Sequence, residues 1–89
     1  NGHIKSFFSK PGDSSSLINS SISALYCDKG NNLWVGTIQG LCRYDYSTNK
    51  FTRYGSPSTQ TILEIREDKS GTIWLATYTG LWTLDKHKG

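Results

Sequence analysis

Short apolar or alternating runs, parted by turn-forming residues every 8–12 positions, fill most of this chain and predict an all-β meander. Eight runs read as strands: 4–8, 22–27, 33–37, 41–45, 51–54, 62–67, 73–77 and 81–85. Aromatic and β-branched residues dominate them, as a pleated surface favours, and no segment keeps a helical period over three turns. Two runs, Leu33-Trp34-Val35 and Ile73-Trp74-Leu75, are apolar on both faces. A sheet with one wet face would alternate instead, so these strands are expected to be covered on both sides. Small residues follow them, Gly36 and Ala76, where a neighbouring backbone can come close. Four-stranded sheets stacked face to face about an axis satisfy both features, which is the arrangement of a β-propeller.

The pattern also repeats. Trp34, Gly36, Thr37, Gly40 and Leu41 return 40 residues later as Trp74, Ala76, Thr77, Gly80 and Leu81, and Asp28 and Asp45 return as Asp68 and Asp85. A fixed period near 40 with strand-like content marks a repeat architecture. With the strands of one repeat labelled A to D, repeat one spans 22–54 and repeat two spans 62–85 without its outer strand. The opening run 4–8 aligns with a D strand at offset 47, so the chain reads D-ABCD-ABC, two propeller repeats over 1–89. The turns fit this reading. Asp68-Lys69-Ser70-Gly71 suits a type I turn, Asn31 takes over from the displaced glycine in the first copy, and Gly40 and Gly80 fall where positive φ is needed. Two blades cannot close a ring that typically needs four to eight. The expected partners are therefore neighbouring blades of a longer parent chain, or other copies of this one.

Composition narrows the function classes. An 89-residue chain buries only roughly 60–65% of its unfolded surface, which makes it marginal alone. Its net charge is +3, but Lys and Arg are scattered and form no cluster longer than Lys86-His87-Lys88; a nucleic-acid footprint would gather them on one stripe. No apolar stretch approaches the roughly 20 residues of a membrane span, and no secretory leader pattern opens the chain. No nucleic-acid or direct membrane contact is expected. A Cys27–Cys42 disulfide would point to an oxidising compartment. The strand map instead sets the two cysteines two strands apart, roughly 9–10 Å, beyond disulfide reach, and favours two free thiols.

Candidate chemistry is sparse. Trp34 and Trp74 could be sugar-stacking platforms, but their recurrence favours packing between blades; Trp82, standing where the first copy has Cys42, is also read as packed. Asp28, Asp68, Asp45 and Asp85 sit in equivalent turns and read as turn formers rather than an acid–base set. His3 and His87 lack partners for a metal or a triad. No catalytic, metal-binding or cofactor-binding residue is assigned. One end of the sheets gathers the D–A loops and the B–C turns, where the copies differ most: 10–20, 55–60, Ile38-Gln39 and Tyr78-Thr79. Loops on a rigid scaffold are where binding residues tend to lie, so Gln39 and Tyr78 are the candidate contacts for a ligand or partner.

The pattern Asp-x-x-Gly-x-(Ile/Leu)-Trp-(Val/Leu)-(Gly/Ala)-Thr-x-x-Gly-Leu-x-x-(Tyr/Leu)-Asp, carried by Asp28 to Asp45 and Asp68 to Asp85, resembles the two-component regulator propeller repeat. Phe51-Thr52-Arg53-Tyr54 resembles its outer strand, and the stretch from Pro11 to Leu17 its longer inter-blade loop. The departures are Gly30-Asn31 in place of the usual order and Ala76 in place of glycine. The resemblance implies the periplasmic sensor region of a membrane-anchored hybrid histidine kinase, of a type familiar in Bacteroidetes, where many relatives respond to polysaccharide breakdown products. It implies a non-enzymatic piece with oligosaccharide as the candidate ligand; the kinase parts would lie elsewhere in the parent. Two alternatives stand beside it: a propeller scaffold for protein assembly or receptor dimerisation without a small ligand, and part of a propeller enzyme such as a glycan lyase.

Overall fold

A computed structural model describes residues 4–54 and 60–84. They form seven strands: β1 Ile22–Cys27, β2 Leu33–Thr37, β3 Gly40–Asp45, β4 Lys50–Arg53, β5 Ile62–Glu67, β6 Ile73–Thr77 and β7 Gly80–Leu84. The first four make one antiparallel meander in the order β1-β2-β3-β4, and the last three make a second, β5-β6-β7. These are two propeller blades, the second lacking an outer strand among the described residues.

The two sheets share one register. Trp34 lies opposite Tyr26 and Arg43, and Trp74 opposite Arg66 and Thr83. A bulge interrupts the first strand of each at the same place, between Ile22 and Ala24 and between Ile62 and Glu64. The turns carry the backbone that their residues allow. Asn31 and Gly71 close the A–B turns with φ of 65° and 90°, and Gly40 and Gly80 open β3 and β7 with φ of 135° and 136°.

The main core lies between the sheets. Trp34 and Leu41 of the first blade meet Ile62, Ile65, Ile73 and Leu75 of the second. Alternation along a strand explains the geometry: Trp34 and Ile73 project to opposite faces of equivalent strands, so blade one offers its tryptophan face to the isoleucine face of blade two. Gly36 makes the approach possible. A methyl group there would stand 2.7 Å from both Cβ and Cγ2 of Ile62. A smaller core covers the other face of blade one, where Leu17 seals Val35 and Cys42.

Three sequence expectations are corrected. Residues 4–8 form no strand. A D strand at this point would have to pair with a C strand, and the outer edge of β3 is already occupied by β4; Phe7 instead packs edge-on against Tyr44 and Phe51. Trp74 is not packed between blades: its face of the second sheet has no neighbour among the described residues, and it is 39% exposed. Trp82, on the edge strand β7, is exposed to the same extent. The cysteines follow the strand map. Cys27 and Cys42 lie on β1 and β3 with β2 between them, and both are free thiols, one exposed and one buried.

Candidate functional site

The B–C turns are built by the threonines of the repeat. The Thr37 hydroxyl donates to the Gly40 carbonyl at 2.9 Å and accepts the Gln39 N–H at 3.1 Å. Thr77 repeats this with Gly80 at 3.0 Å and Thr79 at 3.2 Å. Each buried hydroxyl thus fixes a two-residue tip, Ile38-Gln39 or Tyr78-Thr79, that projects beyond the sheet. Both tips are exposed.

Polar side chains from the preceding loops join the tips. Asn19 Nδ2 donates to Gln39 Oε1 at 2.6 Å, Thr79 Oγ1 donates to Gln60 Oε1 at 3.1 Å, and Thr61 Oγ1 donates to the Ile38 carbonyl at 3.0 Å. The last bond ties the two blades together at this end. The result is a surface of amides and hydroxyls with one exposed aromatic ring, Tyr78. Such groups can exchange hydrogen bonds with a polyhydroxylated ligand and offer a ring face for stacking. The sequence placed Gln39 and Tyr78 at equivalent turns of one end, and they stand there. Their amide and hydroxyl partners, Asn19, Gln60 and Thr79, come from a loop–turn pairing that no local pattern shows. Of the loop positions assigned to this end, 55–59 lie outside the described residues.

The first inter-blade loop is less free than its length suggests. The Arg53 guanidinium donates to the carbonyls of Asp13, Ser16 and Leu17 at 3.0–3.1 Å, and Phe51 N–H donates to the Ser15 carbonyl at 2.8 Å. Residues 13–17 are therefore fastened along β4, and only 18–21 reach the turn end. Beneath this loop the Ile18 N–H points at Cys42 Sγ at 3.5 Å, and burial pushes the Cys42 thiol pKa up. Cys42 is thereby held in its protonated form, away from nucleophilic chemistry.

The repeated aspartates have a second role besides turn formation. Asp28 Oδ2 accepts the Trp34 indole N–H at 2.8 Å, and Asp68 Oδ2 accepts that of Trp74 at 2.8 Å. Asp28 also receives Asn32, while Asp68 receives Ser70 and Thr72. Each carboxylate locks its A–B turn to the tryptophan of the next strand. The recurring six-residue Asp-to-Trp spacing was the available signal for this pair. Among the described residues no three His, Cys, Asp or Glu side chains gather as a metal site; His3, His87 and Asp85 lie outside them.

The profile of the family described as two component regulator propeller matches residues 16–39 and 55–79, more than half of the chain, with one match to each repeat. A comparison with curated proteins gives no significant match.

Proposed function

The chain belongs to the two component regulator propeller family, and from this premise we propose that it forms part of the extracytoplasmic sensor region of a hybrid histidine kinase and contributes to oligosaccharide recognition. On this reading the propeller is periplasmic and does no chemistry of its own. It holds the loop end rigidly, and occupancy of that end biases the arrangement of the attached signalling parts. The observation that carries the reading is the paired-amide surface, Asn19–Gln39 and Gln60–Thr79, beside the exposed ring of Tyr78. Sugar hydroxyls need matched donors and acceptors, and amides supply both.

The test is a glycan array probed with the complete sensor region that contains this chain, followed by titration of any oligosaccharide that binds. Combined Gln39→Ala and Tyr78→Ala substitutions are expected to weaken binding at least tenfold. Unchanged binding by the double variant moves recognition away from this end. An array without any binder removes the carbohydrate reading and favours the assembly scaffold.

A further inference from the structure

The inter-blade interface joins two different surfaces, and each has an unused equal at the far side of the chain. Blade one gives its tryptophan face to blade two. The tryptophan face of blade two, carrying Trp74, Ala76 and Leu81, lies open; Leu81 is 70% exposed where its equivalent Leu41 is 1%. In the other direction, Ile62, Ile65, Ile73 and Leu75 of blade two are sealed against blade one. Their equivalents in blade one are Ile22, Leu25, Leu33 and Val35. Ile65 is 4% exposed and Leu25 is 63%. Ile22, Leu25 and Leu33, together with Phe7, Leu17 and Val35, line an apolar groove of about 380 Å³. Each open surface thus matches one half of an interface already formed within the chain.

A third unpaired element lies in register with these. The outer edge of β7 has no partner among the described residues, and the run 4–8 aligns with β4 but pairs with nothing. In blade one, Tyr44 faces Phe51, Arg43 faces Thr52 and Cys42 faces Arg53. Carrying this register over by the repeat offsets sets Leu84 opposite Ile4, Thr83 opposite Lys5 and Trp82 opposite Ser6. An open strand edge is a template for such addition.

We propose that a second copy of this chain docks head to tail on the first: the Ile22–Leu25–Leu33 face of one copy covers the Trp74–Leu81 face of the other, and residues 4–8 of the incoming copy add to β7 as the missing fourth strand. The contact is heterologous, so it continues from copy to copy until the ring closes. Four to eight blades correspond to roughly two to four copies. The same surfaces would receive an adjoining repeat in a longer chain, because the chemistry that recognises them is the blade itself. Ala76 introduces one difference. Gly36 admits Ile62 where a methyl would stand at 2.7 Å, so Ile22 of the incoming copy must stand further off from Ala76 than Ile62 does from Gly36.

Sedimentation of the 89-residue chain tests the proposal. Wild type is expected to form closed assemblies larger than a monomer. Leu25→Arg and Leu81→Arg each place a charge on one open surface, away from both cores, and each variant alone is expected to sediment as a monomer with wild-type circular dichroism. Mixed together, the two variants retain one intact half-interface each and are expected to form a one-to-one dimer. A wild-type monomer at high concentration overturns the proposal. So does a mixture that stays monomeric, or a dimer that survives either single substitution, since that requires an isologous contact. The strand addition is read separately in a Cys27→Ser background: a Lys5→Cys chain and a Thr83→Cys chain, mixed under oxidising conditions, are expected to cross-link, and failure to do so removes residues 4–8 from the β7 edge.

Discussion

Trp34 and Trp74 occupy the same register position in two sheets of matching pairing, and each donates a 2.8 Å hydrogen bond to an aspartate six residues earlier. Trp34 is fully buried, whereas Trp74 is 39% exposed. The local structure is therefore made within a blade, by turn, register and the aspartate–indole bond. Burial is made between blades. A repeat of this kind builds its shape from its own residues and takes much of its stability from the next repeat. The pair Gly36 and Ala76 shows the same division: the glycine sits where the adjacent sheet touches the backbone, and the alanine where nothing among the described residues does.

The sharpest way to break the comparison is to remove each tryptophan. Trp34→Ala opens the inter-blade core and is expected to cost about 3–5 kcal/mol, enough to unfold much of a domain whose total stability is of order 5–15 kcal/mol. Trp74→Ala loses a partly exposed ring and one hydrogen bond, at about 1 kcal/mol. Denaturant midpoints measured at low protein concentration, where copies are dissociated, check the difference; equal losses would mean that the blade interface contributes little. Gly36→Ala comes next. The added methyl must displace Ile62 or part the sheets, at about 1–3 kcal/mol. The reverse change, Ala76→Gly, has no contact to relieve in the single chain and costs only the backbone freedom of glycine in a strand, about 0.5–1 kcal/mol. If the two changes gave similar losses, the close approach at Gly36 would not be what distinguishes the blades.

Strand positions and turns were legible in the sequence because they follow from local rules: a period of two, doubly apolar centres, and Asn or Gly where φ turns positive. Asn31, Gly40 and Gly80 each take the backbone their residue type allows. The run 4–8 satisfies the same local rules yet forms no strand, because pairing is a long-range condition and the matching edge is not available within the chain. Arg53 illustrates the opposite failure. As a lone cation on a short strand it carries no pattern, but it fastens a whole loop through three carbonyls. At the turn end, the repeated Thr and Gly marked where Gln39 and Tyr78 would stand. The amide pairs depend on which loop reaches which turn, and that is set by loop length and tertiary placement rather than by residue type.

The smallest expected effect concerns acid. The Trp74 indole N–H, followed by the Ser70 hydroxyl, holds the Asp68 carboxyl at about 2, against an ordinary value of 3.8. A carboxyl whose pKa falls on folding adds stability above its unfolded value and loses it as pH drops through the folded one. The contribution of Asp68 is therefore complete above about pH 4 and disappears towards pH 2. Asp13 and Asp45 are also held low, by Ser15 and Ser47, so the chain as a whole should weaken in the same range. Asp68→Asn separates the parts: the carbamoyl oxygen still accepts the indole N–H but does not titrate. The variant is expected to be slightly less stable than wild type at neutral pH and to lose less on going from about pH 4 to about pH 2, so that the two stability curves converge. Because Trp74 is exposed and Trp34 is not, quenching of tryptophan fluorescence by a soluble quencher offers a local readout of the same transition. Wild-type Trp74 should become more accessible over this interval, and in the Asp68→Asn variant its accessibility should stay constant. Parallel stability curves for the two proteins would show that the Asp68–Trp74 bond does not distinguish the charged from the neutral carboxyl, leaving the outer tryptophan oriented by its strand alone.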